Sequence, residues 1–146
     1  MEVTARWTGG YRCAMQVRQF QLAVDEPVAR GGTDTGLSPS ELLLASVASC
    51  FALAVSHVAM KRGVRLGEMS VTARGEHRGP RFRRIAVRVD SPHPADELVE
   101  LVRRAVAMCY VSNTLRGGPE IEYLVGDVSI HRQTPSQGAA ASAPHS

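Results

Sequence analysis

The sequence predicts an α+β fold in which short strands alternate with two helices. Three observations lead to this prediction: apolar residues alternate in segments bounded by glycine or proline, two segments carry helix start and stop signals, and 146 residues fit one domain. The predicted order of elements is β-β-α-β-β-α-β. The domain is expected to cover residues 1–133, and the Ala-, Ser- and Pro-rich residues 134–146 are expected to form a disordered tail.

The first two strands are predicted within residues 3–24, with a tight turn at Gly9-Gly10, because glycine readily adopts the positive φ that such turns need. Asp25-Glu-Pro27 ends this hairpin. Residues 30–36 contain three glycines and no apolar side chain. They are therefore expected to form a mobile surface loop, the kind of segment that often borders a functional site.

A long helix is predicted after this loop. Ser38 is expected to be its N-cap, Pro39 takes the first helical position, and Glu41 completes a capping box. Residues 42–60 carry no formal charge, and Lys61-Arg62-Gly63 supplies the cationic last turn and the glycine that end a helix.

The uncharged run of this helix approaches the length of a membrane span, about 20 apolar residues. Ser46, Ser49, Ser56 and His57 interrupt it, and a lone span would leave the strands unexplained, so membrane insertion is rejected. A helix that is apolar on every side must be covered on every side, which a small domain achieves poorly without a second subunit. We therefore expect an obligate homodimer.

The second half of the chain is predicted to form a hairpin, a helix and a final strand. The ranges are 68–76 and 82–89 for the hairpin, 95–108 for the helix and 121–130 for the strand. The hairpin prediction depends on the alternation of Ile85, Val87 and Val89, and the helix prediction on apolar residues at helical spacing. Residues 109–119 lead from the helix into the last strand.

Composition excludes several functional classes. Hydrophobic residues are 44% and charged residues 21%, which is typical of soluble globular domains and argues against disordered or fibrous proteins. The net charge is only +3, although sixteen of the seventeen basic residues are arginine, so nucleic acid is not an expected partner. The first residues contain no apolar signal segment, and a reducing cytoplasm is the expected compartment.

The three cysteines are the residues with the clearest chemical potential. Their odd number and the absence of a C-x-x-C pair argue against a disulfide framework and a zinc site. Cys50 lies mid-helix, so it is either a small buried hydrophobe or a thiol that needs a nearby cation to form a thiolate. Cys109 is expected at the C-terminal end of the second helix, where the partial negative charge disfavours a thiolate and suits a resolving thiol. Cys13 is interpreted as structural.

Two segments together resemble a known family. Residues 38–50, Ser-Pro-Ser-Glu-Leu-Leu-Leu-Ala-Ser-Val-Ala-Ser-Cys, and residues 109–115, Cys-Tyr-Val-Ser-Asn-Thr-Leu, are similar to the paired-cysteine signature of the OsmC/Ohr superfamily. Arg6-Trp-Thr-Gly-Gly10 and Val24-Asp-Glu-Pro27 add to the similarity. The resemblance implies an intertwined homodimer in which sheets from both chains wrap two central helices.

The resemblance also implies a thiol peroxidase. The Cys50 thiolate would attack an organic hydroperoxide or hydrogen peroxide, and Cys109 would capture the resulting sulfenic acid as a Cys50–Cys109 disulfide. An external dithiol would then reduce this disulfide. The family chemistry needs no metal and no organic cofactor, and the sequence carries no motif for either.

In peroxidases of this family an arginine from the N-terminal hairpin activates the first cysteine, and a glutamate near the helix start holds that arginine. Arg12 is the first candidate for the arginine and Arg18 the second. The position of the family glutamate is occupied by Ser40, and Glu41 follows one residue later. Glu41 is therefore both a candidate for the catalytic arrangement and a candidate helix cap.

Three other functions remain to be weighed against a peroxidase. An OsmC-like fold could serve as a small-molecule binding or redox-sensing protein with little turnover. Nucleic-acid binding by the second hairpin is less favoured than a solvated edge hairpin; its arginines are Arg74, Arg78, Arg81, Arg83, Arg84 and Arg88. Metal binding by Cys50 with His57 is rejected, because seven helical residues separate them by about 10 Å along the axis.

Overall fold

The N-terminal segment forms a three-stranded antiparallel sheet. In the computed structural model, which describes residues 1–135, its strands are β1 (Thr4–Gly9), β2 (Arg12–Val17) and β3 (Phe20–Val24), in that order. The sequence predicted a single hairpin here. The second turn was missed because it contains no glycine: Arg18 itself adopts a positive φ of 53°, which non-glycine residues seldom do.

Strand alternation gives this sheet one apolar face and one polar face. Register pairs Trp7 with Cys13 and Met15 with Leu22 on the apolar face, whereas Arg6 lies on the polar face. Trp7 is 71% exposed. The described residues therefore leave much of the apolar face uncovered.

Hydrogen bonds to Asp25 organise the loop between β3 and the first helix. The Asp25 side chain is fully buried, and its carboxylate accepts hydrogen bonds from the backbone N–H groups of Glu26, Thr33 and Thr35 at 2.8, 3.1 and 3.1 Å. The Thr33 and Thr35 hydroxyls donate to the same carboxylate at 2.6 and 2.9 Å. A Cβ at Gly32 would overlap the Glu26 carbonyl oxygen, so the loop also requires glycine at this position.

Helix α1 (Pro39–Lys61) begins as the sequence predicted, with Ser38 as N-cap and Glu41 completing the capping box. Val47, Phe51 and Val55 are among the residues that its buried face contributes to the core. The opposite face is open, and Leu53 is 72% exposed. By length and composition α1 is apolar enough to cross a membrane, with a mean hydropathy of 2.0 over an 18-residue window, although core helices of soluble proteins meet the same criterion.

The second hairpin and second helix are confirmed and complete the core. Strands β4 (Ser70–Arg78) and β5 (Arg81–Asp90) pair antiparallel, with a bulge at Glu76/His77. Helix α2 (Ala95–Val106) packs against α1 through the buried residues Leu101 and Ala105. The core of the chain thus lies between α1, α2 and one face of the β4–β5 hairpin.

The C-terminal part contains more elements than the sequence predicted. Helix α2 ends at Val106, and a further helix, α3 (Tyr110–Gly117), follows it. The single predicted last strand is a hairpin, β6 (Ile121–Val125) and β7 (Val128–Gln133), because Gly126 adopts a φ of 58° in the turn between them. The α+β class is confirmed. The predicted disordered tail lies outside the described residues from residue 136 onward.

Candidate active site

Two of the three cysteines meet where α1 packs against the start of α3. Cys109 is fully buried in the core cluster, and Cys50 is half-buried and packs against that cluster from α1. Both thiols are free, and the Cys50 thiol is one of the groups that lower the pKa of Cys109. The fold therefore brings together two sulfur atoms from distant parts of the sequence, as a cysteine pair that forms a disulfide requires.

Cys109 occupies the N-cap position of α3. The sequence had predicted this cysteine at the C-terminal end of α2. Its sulfur lies 3.0 Å from the Ser112 hydroxyl oxygen. Burial raises the pKa of the Cys109 thiol, but the Ser112 side chain, the Ser112 backbone, the Cys50 thiol and the Val111 backbone together lower that pKa below its ordinary value.

The expectation that a helix C-terminus disfavours a Cys109 thiolate was therefore wrong. Helix α2 stops at Val106, so the thiol faces the positive end of α3 instead of the negative end of α2. This boundary was difficult to predict, because neither glycine nor proline separates Val106 from Cys109. Ser112, three residues after the cysteine, was missed for the same reason.

A groove of about 720 Å³ runs from Ser112 between α1, α3 and the β4–β5 hairpin. Its wall is mainly apolar and includes Leu43, Val47, Phe82, Ile85 and Leu115. Four arginines also line it: Arg81, Arg83, Arg84 and Arg116. Sequence analysis did not find this groove, because it is assembled from three elements that are distant in the chain.

The β4–β5 bulge fixes the arginines at one side of the groove. Because two residues of β5 oppose one residue of β4 there, both Arg83 and Arg84 reach Glu76, with N–O distances of 2.8 and 3.0 Å. The hydrogen bond from Arg83, followed by that from Arg84, lowers the pKa of the Glu76 carboxyl. Arg88 is likewise paired with Asp90 at 2.7 Å, so three of the six hairpin arginines are paired within the described residues.

Neither arginine proposed to activate Cys50 contacts it within residues 1–135. Arg12 begins β2 on the polar face of its sheet, opposite the apolar residues. Arg18 lies at the β2–β3 turn, where its guanidinium carbon is 5.1 Å from the centre of the Phe20 ring. The single chain therefore leaves the activating cation of Cys50 unassigned.

Glu41 is held in the capping box at the start of α1. The Ser38 backbone N–H and hydroxyl donate to its Oε2 atom at 2.8 and 2.9 Å. These hydrogen bonds, led by that of the backbone, lower the pKa of the Glu41 carboxyl. Glu41 is therefore a helix cap, as one of the two predicted roles required, and it is not brought to Cys50.

The segment that carries both cysteines matches a known protein family. A family model described as OsmC-like protein matches residues 32–124, which is more than half of the chain and includes both Cys50 and Cys109. The chain belongs to the OsmC-like protein family. The matched region excludes β1–β3 and hence both candidate arginines.

Relatives of this OsmC-like protein include an uncharacterized protein of Haloferax volcanii, 31% identical over 125 residues that span 83% of this chain and 87% of the relative. Two solved structures are organic hydroperoxide resistance proteins. That of Legionella pneumophila has 25% identity and a TM-score of 0.65, covering 80% of this chain and 90% of its own. That of Elizabethkingia anophelis has 27% identity and a TM-score of 0.64, covering 80% and 87%.

An OsmC-like protein of Mycoplasma pneumoniae, at 21% identity, shares the fold with a TM-score of 0.70 and covers 80% of this chain and 87% of its own. OsmC-like family members are small soluble proteins. In this chain α1 is the central helix of a mixed α+β domain. The family and these neighbours associate the chain with redox chemistry or peroxide resistance.

The remaining candidates lie apart from the cysteine pair of this OsmC-like protein. Cys13 is half-buried on the apolar face of the N-terminal sheet, and His57 is exposed on α1. Among residues 1–135, no group of three or more His, Cys, Asp and Glu side chains lies close enough together to hold a metal ion.

Proposed function

We propose that this OsmC-like protein is a thiol peroxidase that reduces organic hydroperoxides through Cys50 and Cys109. The observation that carries the proposal is the packing of Cys50 against the core cluster that contains the buried Cys109. Two cysteines in such contact can form a disulfide with little movement of the backbone. The organic hydroperoxide resistance proteins among the structural neighbours favour peroxide as the oxidant.

Access favours Cys50 as the thiol that reacts first. Cys109 is fully buried, whereas Cys50 is half-buried and is the more accessible of the two residues. The Cys50 thiolate attacks the distal oxygen of the hydroperoxide, the O–O bond breaks, and the alkoxide leaves as the alcohol after it takes up a proton. Cys50 is thereby oxidised by two electrons to a sulfenic acid.

Cys109 then resolves the sulfenic acid. Its thiolate attacks the Cys50 sulfur, the new S–S bond forms, and the sulfenic oxygen leaves as water after protonation. The contacts of Cys109 with Ser112 and with the first turn of α3 favour the thiolate that this step needs. An external dithiol returns the pair to the reduced state and itself becomes a disulfide.

The groove beside Ser112 favours an organic substrate over hydrogen peroxide. Its apolar lining, including Leu43 and Phe82, would bury the hydrocarbon part of a hydroperoxide, and each buried CH₂ group contributes about 0.8 kcal/mol of binding free energy. Hydrogen peroxide has no such group and gains nothing from this surface.

A homodimer would complete the site and cover the open surfaces of the chain. Exposed apolar side chains occur on the N-terminal sheet, on α1 and on the last hairpin; examples are Trp7 at 71%, Leu53 at 72%, Val125 at 66% and Ile130 at 63%. Such surfaces are typical of obligate interfaces. Docking of the sheet through its apolar face would turn Arg12 away from the thiols, so Arg18 at the sheet edge is the better candidate for the activating cation. The cytoplasm, where thiols stay reduced, suits this chemistry.

Consumption of cumene hydroperoxide with dithiothreitol as the reductant tests the proposal. Cys50→Ser should abolish consumption, and Cys109→Ser should stop turnover with a sulfenic acid on Cys50, detected as a dimedone adduct by mass spectrometry. Cys13→Ser is the matched control and should remain active. If the wild type consumes no hydroperoxide, the binding or redox-sensing alternative is the better description.

A further inference from the structure

We propose that the external dithiol attacks Cys50 in the oxidised protein, and that Ser112 and the first turn of α3 make Cys109 the leaving sulfur. The proposal rests on the Cys50–Cys109 disulfide of the proposed function and extends it to the reductive half of the cycle. Ser112 is then a positioning residue that acts through Cys109. Two features of the site favour this direction: Cys50 is the more accessible sulfur, and Ser112 contacts the Cys109 sulfur.

Access distinguishes the two sulfur atoms. A thiolate must approach the sulfur it attacks along the S–S axis, from the side opposite the leaving sulfur. Cys109 is fully buried in the core cluster that includes Leu101 and Ala105, so an external thiolate has no open path to its sulfur. Cys50 is half-buried on α1 and is the sulfur that a dithiol can reach.

Stabilisation of the departing thiolate also favours Cys109. The Ser112 hydroxyl, 3.0 Å from the Cys109 sulfur, can donate a hydrogen bond to a thiolate, and the backbone of Val111 and Ser112 contributes from the first turn of α3. The positive end of the α3 dipole lies at the same atom. A sulfur whose thiolate is stabilised leaves faster in disulfide exchange.

Within residues 1–135 of its own chain, Cys50 lacks this stabilisation. It lies in the middle of α1, beyond the first turn over which the helix dipole acts. A departing Cys50 thiolate would depend on the Arg18 guanidinium proposed from the partner subunit, so the burial of Cys109 decides which sulfur is attacked. The burial of Cys109 and the contact of its sulfur with Ser112 therefore favour the same direction of exchange.

The exchange balances as two successive displacements. One thiolate of the dithiol attacks the Cys50 sulfur, the Cys50–Cys109 bond breaks, and Cys109 leaves as a thiolate. The second thiolate of the dithiol then attacks its own sulfur in the mixed disulfide, which releases the Cys50 thiolate. The dithiol loses two electrons to form its disulfide, and the two cysteines gain them.

Mapping of the mixed disulfide in the wild-type protein tests the direction of attack without peroxide. Diamide oxidises the protein, excess N-acetylcysteine opens the disulfide, and acid followed by N-ethylmaleimide in denaturant traps the products for peptide mass spectrometry. We expect N-acetylcysteine on Cys50 and the maleimide on Cys109. The reverse labelling would overturn this inference alone, and failure of diamide to form an intramolecular disulfide would overturn the proposed function with it.

Ser112 variants test the stabilising contact. Ser112→Ala should slow reduction of the disulfide by dithiothreitol about 3- to 10-fold. In a Cys13→Ser, Cys50→Ser background it should also shift the pH profile of the Cys109 thiolate absorbance at 240 nm to higher pH. Ser112→Thr, which keeps the hydroxyl, should restore both. Thr114→Val is the matched control, because the Thr114 hydroxyl bonds the Tyr110 carbonyl within α3 and should change neither. An unchanged rate and pH profile in Ser112→Ala would overturn the role of Ser112.

Discussion

The Glu41 carboxylate accepts a hydrogen bond from the backbone N–H of Ser38 at 2.8 Å and another from the Ser38 hydroxyl at 2.9 Å. In return, the Glu41 N–H donates to the Ser38 hydroxyl oxygen at 3.4 Å. These reciprocal bonds satisfy backbone groups that a helix start otherwise leaves unpaired. Glu41 thus stabilises α1, which carries Cys50, without approaching the thiol.

Substitution of Glu41 separates capping from catalysis. Glu41→Ala should lower the melting temperature while the kcat/KM of the folded protein for cumene hydroperoxide stays unchanged. Ser38→Ala, the partner change, should cost about 1 kcal/mol of stability, as loss of an N-cap usually does. A large fall in kcat/KM for Glu41→Ala at an unchanged melting temperature would instead place Glu41 in the catalytic arrangement.

The start of α1 could be predicted from sequence because capping is local chemistry: Ser38, Pro39 and Glu41 contact one another within one turn. The boundary between α2 and α3 could not be predicted in this way. No glycine or proline marks it, so the helical pattern of α2 continued in the prediction to Met108. Because of this error, Cys109 was predicted to lie beside the negative end of α2, whereas it lies at the positive end of α3.

The cysteine pair itself came from resemblance to a family, whereas its surroundings depend on tertiary packing. The groove joins Leu43 on α1 with Phe82 on β5 and Leu115 on α3, and no local pattern reports such a contact. Arg12 lies on the polar face because of the strand register. The register could not be predicted, because the turn at Arg18 contains no glycine to mark it.

Asp25 predicts a loss of stability in acid. Hydrogen bonds to the carboxylate, led by that of the Thr33 hydroxyl, outweigh burial and hold the pKa of Asp25 well below its usual range. A carboxyl whose pKa is lowered by folding stabilises the protein above its unfolded pKa, about 3.9, and this contribution is lost as pH falls below that value. Asp25→Asn should therefore melt at a clearly lower temperature than the wild type at pH 7.

Thermal unfolding followed by circular dichroism between pH 7 and pH 3 checks this prediction. The difference in melting temperature between wild type and Asp25→Asn should shrink as pH falls below about 4. Asp34→Asn is the control, because Asp34 is exposed in the same loop. A difference between wild type and Asp25→Asn that does not vary with pH would contradict the role of the Asp25 charge.

The two candidate arginines should differ in their effect on Cys50 oxidation. Arg18→Met keeps an apolar stem against Phe20 and removes the charge, and it should lower the rate of oxidation by cumene hydroperoxide about 100-fold, as loss of one stabilising donor typically does. Arg12→Met should have a much smaller effect, because Arg12 lies on the polar face of the sheet. Single-turnover measurements of sulfenic acid formation would show the difference, and a dominant effect of Arg12 would restore it as the first candidate.

The open face of α1 predicts that the chain associates with a second copy. Leu53 is 72% exposed on α1. Full burial of a leucine side chain contributes about 1.5–3 kcal/mol to the free energy of association. Sedimentation velocity of the wild type should give twice the 15.7 kDa mass of one chain. Leu53→Glu should shift the protein to single chains, because association would have to bury a carboxylate without a partner.

Val99→Glu is the matched control for this charge. Val99 is 55% exposed on α2, next in sequence to the charged Glu100 and close to the first-turn acids Asp96 and Glu97, so a further carboxylate there should leave the dimer intact. Loss of peroxidase activity in Leu53→Glu but not in Val99→Glu would link association to catalysis, as expected if the partner supplies Arg18. A wild-type protein that sediments as a single chain at micromolar concentration, yet consumes hydroperoxide, would show that one chain completes the site alone.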